Sequence, residues 1–167
     1  DIWLFADAGK VYKYNIALQS FTRQSDTPYP LKLSFTHSSV AIGNSVYFNP
    51  YEGEGDIGTY NIETETWTFP MEPYLPIPIK SACLATDDRY LYVIGGNNAS
   101  YIYLGIFQVY DTFTDVWFNE TDLPTLHWPR GAAACQVTNG YVYIMAGFDH
   151  EYRKFNSIER IYVGTGD

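Results

Sequence analysis

A tyrosine recurs at nearly even intervals along this 167-residue chain, as Tyr14-Asn15, Tyr60-Asn61, Tyr110-Asp111 and Tyr162. The intervals are 46, 50 and 52 residues, and an aromatic residue follows seven positions after each of the first three, as Phe21, Trp67 and Trp117. A second series runs in step: Ile2-Trp3-Leu4-Phe5, Val46-Tyr47-Phe48, Leu91-Tyr92-Val93-Ile94 and Val142-Tyr143-Ile144-Met145. A period near fifty restricts the fold severely, because a unit of that size buries its apolar faces only by stacking on its neighbours.

Each period reads as four short strands. In the best-formed unit these are Ser81–Thr86, Tyr90–Ile94 ending in Gly95-Gly96, Ile106–Tyr110, and Val116–Phe118, with turns at Asp87-Asp88 and Asp111–Asp115. Alternation, β-branched and aromatic enrichment, and punctuation by Asp, Asn, Gly and Pro support strands, and no segment has helical periodicity. Composition agrees, with 18% aromatic and only 17% charged residues, and apolar runs too short for a membrane-spanning helix. A net charge of −9 argues against a phosphate-backbone partner, so no nucleic acid is expected.

Tyr92, Gly95-Gly96, Tyr110-Asp111 and Trp117 together resemble the kelch-repeat β-propeller family. The other units depart from its diglycine, with Ala146-Gly147, Pro50-Tyr51 and Ala6-Asp7 in its place. The resemblance implies an all-β, kelch-like propeller in which Tyr14, Tyr60, Tyr92, Gly95, Gly96, Tyr110, Asp111, Trp67 and Trp117 are structural. The glycines let the backbone pass close to the next blade, the aromatics fill wedges between blades, and Asn or Asp closes the turn after the third strand. Units fall at 1–34 (partial), 35–79, 80–129 and 130–167 (partial), holding three, four, four and three strands, or about three and a half blades. Closed propellers hold about four to eight. The expectation is therefore a partial propeller: a consecutive piece of a longer one, or one completed by further copies or another chain. The opening Asp1-Ile2-Trp3-Leu4-Phe5 reads as a strand rather than a leader peptide.

In a propeller, the loops joining strands two and three share a face with those leading to the next blade. They carry the binding candidates: Tyr51, Glu52, Glu54, Asp56, Trp128, Arg130, Asp149, His150, Tyr152 and Arg153. Glu52, Glu54 and Asp56 lack the spacing of an EF-hand and read as a solvated loop. His37, His127 and His150 have no metal-ligand spacing, and no nucleophile signature occurs, so neither metal nor cofactor is expected. Cys83 and Cys135 occupy equivalent first strands, whose separation in a propeller favours two buried free thiols over a disulfide. The sequons Asn98-Ala99-Ser100 and Asn119-Glu120-Thr121 are candidate N-glycosylation sites on the same loop face.

The functional expectation is a non-catalytic protein-interaction or structural module, with protein partners, N-glycans at Asn98 and Asn119, and a place in a secreted or surface glycoprotein. Two alternatives stand beside it: an intracellular kelch adaptor that binds a peptide or actin, and a sugar-acting oxidase or sialic-acid isomerase whose site lies in further blades.

Overall fold

The computed structural model describes residues 1–6, 10–24, 26, 38–49, 55–118 and 122–164. Their strands form four antiparallel sheets, each a meander of chain neighbours, and no α-helix occurs among them. The first sheet comprises β1 (Ile2–Ala6), β2 (Lys10–Asn15) and β3 (Ser20–Arg23). The second comprises β4 (Ser38–Ile42), β5 (Ser45–Asn49), β6 (Gly58–Asn61) and β7 (Thr66–Thr68). The third comprises β8 (Cys83–Thr86), β9 (Tyr90–Ile94), β10 (Phe107–Asp111) and β11 (Val116–Trp117). The fourth comprises β12 (Ala134–Thr138), β13 (Tyr141–Met145) and β14 (Ile158–Tyr162). The sheets thus hold three, four, four and three strands, as the repeat pattern predicts.

Register explains the seven-residue spacing. Tyr14 lies directly across from Phe21, Tyr60 from Trp67 and Tyr110 from Trp117, with ring centroids 4.7, 4.7 and 5.1 Å apart. The intervening turns share one design. Oδ1 of Asn15, Asn61 or Asp111 accepts a backbone N–H two or three residues on, from Leu18, from Glu63 and Thr64, and from Phe113. The last turn residue, Gln19, Glu65 or Asp115, is left-handed, with φ of 50°, 55° and 60°. A single left-handed residue closing such a turn matches its twist to that of the strands.

The fourth tyrosine breaks the pattern. Tyr60 pairs with Val46 and Tyr110 with Leu91, but the residue opposite Val142 is Ile161, one position before Tyr162. A one-residue slip reverses the face a side chain occupies, so Tyr162 is 63% exposed while Tyr60 and Tyr110 are buried. Tyr162 is therefore not the structural counterpart of Tyr110 that the spacing suggests; Ile161 is.

Apolar clusters fill the spaces between successive sheets. Trp3 and Phe5 meet Phe48, Tyr60 and Trp67 between the first and second. Ile57, Leu75 and Ile79 meet Leu84, Leu91, Val93 and Tyr110 between the second and third. Tyr92, Ile94 and Phe107 meet Val142 and Ile144 between the third and fourth. The third sheet is thus covered on both faces, and β9 and β10 are buried almost throughout, Gln108 and Asp111 included. In β12 and β14, by contrast, exposed and half-buried residues alternate, as on a sheet with one covered face.

Backbone contacts bring the sheets together at one rim. Gly96 N–H donates to Arg130 C=O at 2.8 Å and Ala132 N–H to Ser81 C=O at 2.9 Å. A Cβ on Gly95 would lie 2.4 Å from the Arg130 carbonyl oxygen, and one on Gly96 2.5 Å from that of Lys80; both glycines have positive φ. The second sheet reaches the same end differently. It has Pro50-Tyr51 where the diglycine would stand, and the buried Asn49 amide supplies the link, donating to Ile79 C=O at 2.8 Å and accepting from Ala82 N–H at 2.9 Å.

This close approach overturns the expectation of free thiols. Cys83 and Cys135 form a disulfide with Cα atoms 5.9 Å apart. Ser81, Ala82 and Ala133 are small enough for β8 and β12 to converge below the roughly 7 Å that a disulfide tolerates. The bond closes a separation of 52 residues, so in the chain-entropy model it restricts the unfolded state by up to about 4 kcal/mol. The C83A/C135A variant is expected to melt about 5–15 °C below the native protein by calorimetry, with the reduced native protein close to the variant.

Candidate functional site

Two loops repeat each other on neighbouring sheets. In Asn98–Ile102, Asn98 Oδ1 accepts from Ser100 N–H and Ile102 N–H, both at 3.0 Å. In Asp149–Arg153, Asp149 Oδ1 accepts from Glu151 N–H at 2.9 Å and Arg153 N–H at 3.1 Å. Backbone bonds match too: Tyr101 N–H to Asn98 C=O at 3.0 Å, and Tyr152 N–H to Asp149 C=O at 2.9 Å. The fourth position of each loop is a left-handed tyrosine, Tyr101 at φ 59° and Tyr152 at φ 58°. The two residues are 67% and 79% exposed. Left-handed backbone costs a bulky residue roughly 1–2 kcal/mol, and here the Asx-type bonds hold it in place.

Tyr152 is among the residues expected on a binding face; Tyr101 is not. The signal for Tyr101 is present in the sequence, since Asn98-Ala99-Ser100-Tyr101 aligns with Asp149-His150-Glu151-Tyr152 at a shift of 51. Charge gathers on the second loop. Arg153 Nε donates to Asp149 Oδ2 at 2.7 Å, and its terminal nitrogens pair with Asp149 at 2.7 Å and Glu151 at 3.0 Å. His150 Nε2 lies 3.7 Å from Glu151. Burial pushes the Asp149 carboxyl up, but its bonds from Arg153 and the loop amides outweigh that and hold it below its ordinary range. Asp149, expected as an exposed contact, is in fact buried and organises the loop from within. Tyr103, Phe148 and Tyr152 form a run of rings with successive centroids 5.6 and 5.9 Å apart.

Arg130 is a second correction, because its side chain is fully buried. Its guanidinium bonds Glu159, Trp128 C=O, Ala146 C=O and Ser157 Oγ, and lies 4.3 Å from the Phe155 ring centroid. Glu159 also accepts from His127 N–H at 2.8 Å and Trp128 N–H at 3.3 Å. The pair fixes the segment entering the fourth sheet and leaves Trp128 half-exposed, edge-on to His127. One repeat earlier, Gln108 does this work without charge, exchanging bonds of 2.8 and 3.0 Å with the Ile77 backbone, while Ile79 stands in the place of Arg130. Asp56 is half-buried; Tyr51, Glu52, Glu54, Asn119 and His37 lie outside the described residues.

The repeat-motif residues serve the scaffold. Tyr92 OH donates to Asp87, Tyr110 OH to Asp115, and Trp117 Nε1–H to Pro73 C=O at 2.9 Å. Burial first, then these carboxylates, push both phenols far above their ordinary range. Asp111 pairs with Arg89 at 2.6 Å, and that hydrogen bond holds its carboxyl well below the usual carboxylate range. Among the described residues, no group of three His, Cys, Asp or Glu is placed to hold a metal ion. Set against the models of known protein families and against the curated proteins, the chain matches none.

Two outcomes follow from these pairs. R130I strands Glu159 and is expected to lose about 3 kcal/mol in urea unfolding; R130I/E159Q, which copies Ile79 and Gln108, should regain most of it, and a double variant no better than R130I would refute the equivalence. Asp111 is depressed in the folded state, so its contribution is present above the unfolded pKa near 4 and disappears as pH falls toward the folded value. The melting gap between native protein and D111N is therefore expected to stay constant from about pH 8 to 5 and to shrink below about pH 4.

Proposed function

We propose that this chain is a kelch-like propeller region that works as a non-catalytic protein-interaction or structural module of a secreted or surface glycoprotein. The observation that carries the reading is the matched pair of exposed tyrosines, Tyr101 and Tyr152, held in strained left-handed backbone by equivalent loops. A bulky, exposed ring at both of these left-handed positions, where it contributes little to the core, suits recognition better than folding. Tyrosine supplies broad contact area with little rotamer freedom to lose, Arg153 and His150 give the second loop cationic and polar contacts, and Trp128 stands on the segment entering the fourth sheet. The cleft beside the third sheet is lined by aromatic and aliphatic side chains, which suits packing rather than proton transfer.

The Cys83–Cys135 disulfide favours an oxidising compartment over the cytosolic adaptor reading. Asn98 is compatible with a glycan, since its Oδ1 carries the loop bonds and the sequon places a serine at Ser100. Peptide mass spectrometry of the protein from its native source should find hexose mass on the Asn98 peptide; an unmodified peptide would count against secretion. Asn tolerates left-handed backbone, so Y101N/Y152N should remove both rings without moving the loops. The expected result is loss of partner capture at an unchanged melting temperature; equal capture by the variant would refute the loop-face reading.

A further inference from the structure

The two tyrosine loops differ at the second side-chain atom of the residue that organises them. Asn98 and Asp149 each use Oδ1 to accept the amides two and four residues on. The other oxygen of Asp149 is occupied, because Arg153 Nε donates to Oδ2 at 2.7 Å, and the carboxylate is buried. In the Asn98 loop the corresponding atom is Nδ2, a donor, and Ile102 stands in the place of Arg153 with no side-chain acceptor to offer. Among the described residues nothing bonds Asn98 Nδ2, and Asn98 is only half-buried. Ser100, two positions on, is exposed.

The surroundings of the two rings differ as well. Tyr152 stands between Glu151 and Arg153, with Lys154 next, and all of these are exposed, so charge keeps that loop solvated. Tyr101 is followed by Ile102, which is 55% exposed, and no charged residue occurs between Arg89 and Asp111. A loop that exposes a tyrosine and an isoleucine side by side, without charge, gains from a bulky polar group that covers them.

We propose that an N-glycan on Asn98 controls the loop face: its first sugar covers Tyr101 and leaves Tyr152 as the open ring, whereas protein without the glycan presents both. Attachment forms the bond from Nδ2 to the sugar's anomeric carbon and breaks that carbon's bond to the diphosphate of a lipid-linked oligosaccharide. The lipid diphosphate and the amide proton leave. The loop forces the sugar close to the ring. Asn98 Oδ1 lies 3.0 Å from Ile102 N, the backbone atom that follows Tyr101, so Nδ2 of the same amide is within about 8 Å of the Tyr101 Cα. The Asp149 loop has no such device, since a carboxylate carries no amide nitrogen and Glu151 stands in the place of Ser100. This control rests on the glycoprotein reading and adds that occupancy of Asn98 sets which ring a partner meets.

The test compares the protein secreted by a eukaryotic host with its S100A variant. S100A removes the acceptor sequence and keeps both Asn98 Oδ1 bonds, which come from backbone N–H groups. Both proteins are iodinated briefly with lactoperoxidase, and the glycans are then released by an amidase that leaves aspartate at each occupied asparagine. Tandem mass spectrometry reads the label on Tyr101 against that on Tyr152, which serves as the internal standard. In chains occupied at Asn98, relative labelling of Tyr101 is expected to be about fivefold lower than in S100A. Equal ratios would overturn the control by the glycan and leave the glycoprotein reading intact. The same holds if S100A only melts at a lower temperature while the ratio stays unchanged, which would mark a glycan that merely stabilises the loop. Asn98 found unoccupied throughout would overturn both readings together.

Discussion

The close backbone approach of neighbouring sheets at one rim is the constraint on which the remaining structure depends. It is made twice by different chemistry. Between the third and fourth sheets, Gly96 N–H reaches the Arg130 carbonyl because neither Gly95 nor Gly96 carries a Cβ. Between the second and third, the Asn49 side chain reaches the equivalent carbonyl of Ile79. A buried amide that bonds on both sides is fully compensated for its desolvation, so the unit lacking the diglycine still makes a close approach, with Gly55 C=O accepting from Ile79 N–H at 3.0 Å beside it. Large rings fill the spaces between the sheets, Tyr60 and Trp67 between the first and second and Tyr110 and Trp117 between the second and third.

The same approach accounts for the disulfide, and the disulfide bears on where such a chain works. Two cysteines on equivalent strands would remain apart if the strands diverged early. Small residues beside them and paired backbone bonds keep the strands parallel in space long enough for the sulfurs to meet. An entropic restraint across 52 residues then adds to clusters that are apolar but modest in size.

The loops inherit their precision from this frame. Asn98 and Asp149 organise their turns by the same pair of bonds because the strand ends they hang from are held alike. The result is two tyrosines at corresponding places on adjacent sheets. Arg130 illustrates the opposite fate of a polar loop residue: surrounded by carbonyls, a hydroxyl, Glu159 and the Phe155 ring, it is used entirely in holding the segment that carries Trp128.

Spacing alone determined a good deal: the period, the four-strand unit, the Tyr–Trp pairs and the Asn or Asp of each turn. All of these depend on contacts within one hairpin, where separation along the chain dictates what meets what. Tertiary structure decided the rest. Register made Ile161 rather than Tyr162 the counterpart of Tyr110, since a single residue reverses a strand's faces and a count of intervals cannot detect it. Approach of the third and fourth sheets joined Cys83 to Cys135, that of the second and third set Asn49 where the diglycine is wanting, and contacts within the fourth unit turned Arg130 and Asp149 inward. The disulfide and the Asn49 bonds join segments 30 to 52 residues apart, whose distances are fixed only when the sheets stack.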